Sequence, residues 1–454
     1  MKNTEQKNIH DNFELEKNYD FSDGIRGRFY KPKKIPTSTK MFTNTLEKFK
    51  LNNSLFTEDE KTTAIESFET KNRTNDSIKT CKYYNEFWTA KQRAANNIHE
   101  VSYRGCFKPQ LPNFFIKNLT SQGDVIYDPF LGRGTTILEA GLMNRQIIGN
   151  DINPLSVILS EPRLLIPDIR DLSTELDNIH LDKNKKADID ISMFYHKDTE
   201  GELVSLREYI LNKEKTGQLT NIDKWIRMVA TNRLTGHSKG FFSVWTMPPN
   251  QAVLPNRQIK INQKMKQQPE YRNVKELIKR KTISLIKNIS PQQKQTLKNI
   301  HKTAFFLNQD ASDTKKIKNN SVSLTVTSPP FLDVVQYETD NWLRGWFNGL
   351  DTKKIGKKIT MAKTIDKWTA VMQNVFDELY RITKKQGYVA FEVGDVKQGK
   401  IKLDEYVAPL GLNSGFDLIG IIINTQNFTK TSNLWGVKNN KKGINSNKIV
   451  LFQK

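Results

Sequence analysis

Between residues 101 and 165 short apolar runs alternate with stretches of helical spacing. Residues 114–119 follow Lys108-Pro-Gln-Leu-Pro112 with a helical apolar pattern, 124–127 read as a buried strand, and Gly132-Arg-Gly134 as a tight turn. Residues 135–144 predict a helix, 146–150 a second strand and 154–165 another helix. Strand, turn, helix and strand at this spacing make a βαβ unit, which needs a parallel sheet. The texture returns after residue 303. Strands are expected at 304–307, 322–326 and 388–393, and an amphipathic helix at 368–383. Residues 416–424 and 449–452 can close the sheet as an antiparallel pair.

Outside these stretches the pattern differs. Residues 1–36 read as a polar basic tail carrying Arg26-Gly-Arg-Phe-Tyr-Lys-Pro-Lys-Lys34. Residues 37–100 read as a helical N-terminal extension: Phe42, Leu46 and Phe49 share a face, and Thr57-Glu-Asp-Glu60 has a capping-box pattern. Residues 166–302 break the α/β alternation, so the chain divides at 101–165, 166–302 and 303–454. No repeat appears at a period of roughly 20–50 residues.

Composition then narrows the partners. The chain has 454 residues with 71 Lys plus Arg against 49 Asp plus Glu, a net charge of +22. An excess of that size asks for a polyanion, usually a nucleic acid. It is also uneven, since residues 257–302 hold 13 basic residues against Glu270 and Glu276. Mean hydropathy is −0.62, and no run approaches the ~18 apolar residues of a membrane span. The polar start lacks the apolar core of a signal peptide. Cys81 and Cys106 are too few for a disulfide framework or a Cys-rich zinc site. A cytoplasmic protein, with no membrane partner and no metal, is expected.

Two motifs carry candidate chemistry. In Asp128-Pro-Phe-Leu-Gly-Arg-Gly-Thr-Thr136 the two glycines let the backbone approach a ligand, and the next helix offers free N–H groups. Asp151 ends the following strand, where a carboxylate can accept from ribose hydroxyls of a nucleoside cofactor. The Gly-x-x-x-x-Gly-Lys-Ser/Thr phosphate loop is absent, which disfavours an ATPase. In Thr327-Ser-Pro-Pro-Phe331 the prolines end a strand rigidly. Ser328 and the Pro329 carbonyl can accept from an –NH₂ group while an aromatic ring stacks on the base that carries it.

Asp128-Pro-Phe-x-Gly-x-Gly-Thr-Thr136 and Thr327-Ser-Pro-Pro-Phe331 resemble motifs I and IV of the S-adenosylmethionine-dependent DNA amino-methyltransferases. Phe107-Lys-Pro-Gln-Leu-Pro-Asn-Phe-Phe115 looks like their motif X. The resemblance spans about 100–165 and 303–454. It implies a Rossmann-like class I methyltransferase sheet, mostly parallel and seven-stranded, with a target-recognition domain inserted at 166–302. It implies S-adenosylmethionine held by Phe107, Lys108, Asp128, Pro129, Phe130, Gly132, Gly134, Thr135, Asp151, Ile152 and Asp310. Ser328, Pro329, Pro330 and Phe331 then take the target amine. Cytosine C5 chemistry is disfavoured, because neither cysteine follows a proline.

Within the family Ser-Pro-Pro-Tyr/Phe is commoner in N4-cytosine enzymes, and Asp-Pro-Pro-Tyr or Asn-Pro-Pro-Tyr in N6-adenine enzymes. Ser328 and Phe331 favour cytosine N4, with adenine N6 as the alternative. The motif order X, I, insert, IV departs from that of many Ser-Pro-Pro enzymes. The resemblance further implies double-stranded DNA as partner, a restriction–modification setting with a cognate endonuclease, and a monomer. Arg233, His237, Lys239, Gln251, Asn256, Arg257 and Lys260, with Gln258 and Asn262 beside them, are candidates for DNA contact. Two further readings are an RNA or tRNA amino-methyltransferase and a non-catalytic DNA-binding protein on the same scaffold.

Overall fold

The computed structural model describes residues 63–89, 95–247, 252–330, 337–359, 362, 364–396, 401–429 and 442–454. The tail at 1–36, the helix expected around Phe42 to Phe49, Gln251 and Phe331 lie outside the described residues.

Strands β1 (Ala64–Lys71) and β2 (Ser77–Asn85) precede helix α1 (Gln110–Leu119), β3 (Val125–Asp128), α2 (Thr135–Leu142), β4 (Gln146–Asn150) and α3 (Pro154–Ser160). Next come the helices α4 (Ile169–Asn178), α5 (Lys197–Lys215), α6 (Asn221–Arg233), α7 (Pro255–Met265), α8 (Val274–Ile286) and α9 (Pro291–His301). Strands β5 (Phe305–Leu307) and β6 (Val322–Thr327) follow, then three short helices, α10 (Tyr337–Asp340), α11 (Trp342–Phe347) and α12 (Thr352–Lys358). Helix α13 (Ile365–Ile382), β7 (Thr383–Val393), the small ribbon β8 (Asp395–Val396) and β9 (Ile401–Lys402), α14 (Leu403–Ser414), β10 (Asp417–Thr429) and β11 (Lys442–Gln453) complete the chain.

The main sheet has nine strands in the order β1-β2-β10-β11-β7-β6-β3-β4-β5. From β10 to β5 it is the seven-stranded sheet expected from the sequence. β7, β6, β3, β4 and β5 are parallel neighbours, and β11 is antiparallel to both β7 and β10. From β3 the chain runs outward through β4 to β5, then returns to lay β6 on the other side of β3. That reversal opens a crevice at the carboxyl ends of β3 and β6, where ligands bind in open α/β sheets.

Strand periodicity sends alternate residues to opposite faces. Ile126, Leu324, Val326, Ala390 and Leu451 pack on one side. Tyr127, Val389, Phe391, Val450 and Phe452 pack on the other. The second layer is sealed by α13, which buries Trp368, Met372, Val375, Phe376, Leu379 and Ile382 at helical spacing.

Residues 64–85 correct the expectation of a helical extension: they form an antiparallel hairpin, with β2 running parallel to β10. The physical reason is the polar turn Asn72–Asp76 between two runs rich in Ile, Thr, Phe and Tyr. Asn75 takes a left-handed φ of 66° there, and the Asn72 side chain accepts from the Asp76 N–H at 2.9 Å. The buried carboxylate of Asp404 ties the hairpin down, accepting from Lys82 Nζ at 3.0 Å and Lys448 Nζ at 3.1 Å.

Residues 166–302 are helical in the structure, and they share a core with the sheet. Leu172, Trp225, Ile226, Leu277, Leu297 and Ile300 belong to the same buried cluster as Ile126, Ile137 and Ile147. Gly141 of α2 shows how close this contact is, since a Cβ there would lie 2.9 Å from a Leu297 methyl. None of the helices among the described residues is long and apolar enough to cross a membrane.

Candidate active site

The loop after β3 and the loop after β6 meet in one cleft, open to solvent. Pro129, Phe130, Gly132, Asp151, Ile152, Asp310, Ser328, Pro329 and Pro330 line it, as the two motifs suggested. Tyr103, Arg104, Gly105 and Cys106 supply another wall. That wall lies just before Phe107 and Lys108, which are half-buried behind it. Arg133 staples it to the glycine loop, donating to the carbonyls of Val101 and Phe107 at 3.3 and 3.0 Å.

The glycine loop is built by backbone conformation. Gly132 and Gly134 have φ of +51° and +74°, a region that L side chains rarely enter. A Cβ on Gly132 would come within 3.0 Å of Cys106 Sγ, closing the gap between loop and cleft wall. Asp151 holds the loop, with its carboxylate accepting from the N–H of Gly132 at 2.9 Å, the N–H of Asn153 at 2.9 Å and Ser156 Oγ at 2.8 Å. Three of its roughly four lone-pair positions are thus used, leaving room for a ligand hydroxyl. Burial pushes its pKa up, opposed by those three donors.

Asp128 lies under the loop, 2% exposed. Its Oδ1 accepts from the Phe130 N–H at 3.2 Å and from Thr327 Oγ1 at 2.7 Å. One oxygen therefore links the glycine loop to the strand that carries Ser328. Thr135, also buried, starts α2 and accepts from Arg133 Nε at 3.1 Å. Its neighbour Thr136 donates to the Val326 carbonyl at 2.9 Å.

Burial raises the Asp128 pKa from 3.8 to about 7. The folded state then keeps a proton that the unfolded chain releases, so this group costs stability as pH rises from about 4 through 7, by at most about 4 kcal/mol. Asp128→Asn keeps an acceptor for Phe130 and Thr327. We expect it to flatten the fall of the melting temperature over that window, and a variant that loses stability in parallel with the parent would contradict the assignment. Thermal melts from pH 4 to 8 test this.

Three side chains essential to the geometry escaped sequence reasoning. Asn150, fully buried, bonds the Pro129 and Gln309 carbonyls through Nδ2 and the Gln309 N–H through Oδ1, tying the ends of β3, β4 and β5. Trp368 Nε1 donates to the Pro330 carbonyl at 3.0 Å and fixes the Pro-Pro loop from α13. Glu392 of β7 is buried near Ser328, and accepts a hydrogen bond from Asn447 Nδ2 at 3.0 Å. Burial raises its pKa, against the pull of Ser328 and Asn447. Only Asn150 had a sequence signal, a polar residue closing an otherwise apolar strand.

Asp310 is exposed at the mouth, its Oδ1 accepting from Ser312 N and Oγ at 2.9 and 2.7 Å. Of the candidate DNA contacts, His237, Lys239, Asn256, Arg257 and Lys260 are exposed. Arg233 is not: it is 9% exposed, stacks 3.9 Å over Phe241 and bonds Asn232. Burial and the neighbouring Arg344 lower its pKa to about 10. This corrects its reading as a surface contact, because it follows the apolar face of α6 inward. Trp342 and Trp346 pack against the core, Trp342 bonding the Val253 carbonyl and Trp346 the Asp188 carboxylate. No group of His, Cys, Asp and Glu suited to a metal occurs among the described residues.

A family model described as N6_N4_Mtase, DNA methylase, matches residues 5–160. That match covers about a third of the chain. The match reaches into the first hundred residues, which the motifs alone left unexplained. The chain is 35% identical over 98 residues to the type II methyltransferase M.MjaII of Methanocaldococcus jannaschii, covering 21% of this chain and 18% of the relative. It is 25% identical over 278 residues to the type II methyltransferase M.BsoBI of Geobacillus stearothermophilus, covering 57% and 54%. It thus spans about half or less of the length of these curated relatives. Among solved structures, the rRNA methyltransferase aviRa of Streptomyces viridochromogenes aligns over 81% of this chain and 95% of its own, at 10% identity and a TM-score of 0.32.

The resemblance of the two motifs implies S-adenosylmethionine as the cofactor. The cleft fits it. The side-chain-free approach at Gly132, the acceptor position left on Asp151 and the half-exposed Ile152 would hold its amino-acid, ribose and base portions. When bound, it supplies an electrophilic methyl group on a sulfonium.

Proposed function

We propose that this protein is a DNA amino-methyltransferase of a type II restriction–modification system. Its substrate is an exocyclic amine of a base flipped out of double-stranded DNA, cytosine N4 in preference to adenine N6, and methylation protects the DNA from a cognate endonuclease. The observation that carries the reading is the shared cleft, in which Ser328 and the Pro-Pro loop stand across from the glycine loop and Asp151.

The chain's own groups supply binding and orientation. An exocyclic amine is a poor nucleophile, because its lone pair is delocalised into the ring. With the Glu392 carboxylate nearby to take the Ser328 hydroxyl proton in a hydrogen bond, the Ser328 oxygen would be left to accept an amine N–H. Held there and by a proline carbonyl, the nitrogen becomes more tetrahedral and its lone pair is aimed. Positioning of this kind supplies most of the acceleration without a covalent step. Flipping costs a few kcal/mol, offset by stacking in the pocket and contacts to the backbone. Cytosine is favoured by Ser328 in the Ser-Pro-Pro-Phe motif.

Methylation of a plasmid by the purified protein, followed by sequencing that separates N4-methylcytosine from N6-methyladenine, is the test. N4-methylcytosine at one short sequence is the expected product. Methyl transfer to tRNA but not to the plasmid would replace the DNA reading with an RNA one.

A further inference from the structure

Helix α7 differs from the rest of the helical layer. It buries one side chain, Gln258. What holds it is a set of amide bonds: Gln258 Nε2 and Gln267 Nε2 donate to the Trp245 carbonyl at 3.1 and 2.9 Å and to Asn262 Oδ1 at 2.7 and 2.9 Å. Asn262 Nδ2 donates in turn to the Met193 carbonyl at 2.7 Å. This is a polar pinning along one side of the helix, with Ile261 packed against the core, and the opposite side is exposed among the described residues.

That free side has a definite composition. Asn256, Lys260, Gln263 and Lys264 are spaced i, i+4, i+7 and i+8 and form one exposed stripe. Arg257 and the 40%-exposed Ile259 flank it. No acid lies between residues 252 and 269. Amides and cations in one row, with an aliphatic at its edge, are the groups that read adenine and guanine edges and thymine methyls in a major groove.

The helix is also coupled to the cleft. Just before its start, the Ala252 N–H donates to the Asp340 carbonyl at 3.3 Å and the Val253 carbonyl accepts from Trp342 Nε1 at 3.3 Å. The Asp340 carboxylate takes Arg104 of the cleft wall at 2.7 Å. With 11 residues it is about 16 Å long, the length of roughly half a turn of duplex.

We infer that α7 is the recognition helix, entering the major groove beside the flipped base with Asn256, Lys260 and Gln263 on base edges and Arg257 and Lys264 on phosphates. The partner is duplex DNA, because the stripe offers amides and cations with no negative charge among them. This rests on the DNA-methyltransferase reading proposed above.

The test maps methylated sites on genomic DNA for the full-length protein and for Asn256→Ala, Lys260→Ala and Gln263→Ala, with S-adenosylmethionine affinity measured in parallel. Each residue is exposed, so folding and cofactor affinity should be retained. At least one variant is expected to relax the methylated sequence at a single position, with a discrimination loss of about 10- to 100-fold. Arg257→Gln and Lys264→Gln should instead weaken binding to all sequences and each lower the salt slope by about 1. If the parent methylates DNA and all three variants keep its sequence and rate, α7 is not the reading element and the functional reading stands. If the parent transfers no methyl group to DNA, that reading fails and this inference with it.

Discussion

Replacing Ser328 by alanine is expected to slow methyl transfer by about 10²–10³-fold, the scale on which removing one well-placed hydrogen-bonding group acts. S-adenosylmethionine affinity should be preserved, because the residues that would hold the cofactor stand on the β3 and β4 loops across the cleft. Glu392 makes the prediction sharper. Once ionised, its carboxylate can only accept, which sets Ser328 as the donor toward it, and burial raises its pKa. The rate should therefore climb as pH rises through that raised pKa and then level off. Glu392→Gln offers Ser328 an amide that can donate as well as accept. The rate should fall by tenfold or more and the acidic limb of the profile should vanish. Single-turnover rates from pH 5 to 9 measure both. Full activity in Ser328→Ala, or an unchanged acidic limb in Glu392→Gln, would remove the assigned roles.

The second large effect belongs to Gly134. With φ at +74°, any side chain is strained there, and a Cβ would lie 2.4 Å from Ser160 Oγ and 2.7 Å from Ser160 Cβ. A rotamer change can move the hydroxyl but cannot move Ser160 Cβ, which is set by the backbone of α3. Gly134→Ala should cost about 2–5 kcal/mol, adding left-handed strain to overpacking. It should also displace the glycine loop, weakening cofactor binding. Adding Ser160→Gly removes the clash and leaves the strain, so the double variant should recover part of the lost stability. Denaturant unfolding of both variants tests this, and a double variant no more stable than Gly134→Ala would show that the contact with Ser160 is not the cause.

Residues 101–165 and the strands of the sheet were legible because local signals and tertiary roles coincide there. Apolar runs such as Val125 to Tyr127 end in glycine turns, and the cleft opens at those ends. Asp128 was legible as a motif member, but its place beneath the loop was not, since spacing says nothing about which face of a turn a carboxylate takes. Glu392 and Trp368 act on the Pro-Pro loop from strand β7 and helix α13, far along the chain, and nothing local marks them. The hairpin at 64–85 was missed for a different reason. Its alternation is weak because β1 is mostly exposed, and the polar turn at Asn72–Asp76 was the better signal. Arg233 misled because a cation near other cations looks like a surface, whereas its position on α6 places it among buried neighbours.

The same hairpin bears on how the protein is made. Thr80 of β2 bonds the carbonyl of Ile419, which lies 339 residues further along. At roughly 5–20 residues per second of synthesis, β2 leaves the ribosome roughly 20–70 s before the strand it pairs with. For that interval the edge of β2 that will pair with β10 has no native partner, so this part of the sheet can close only after synthesis has reached β10.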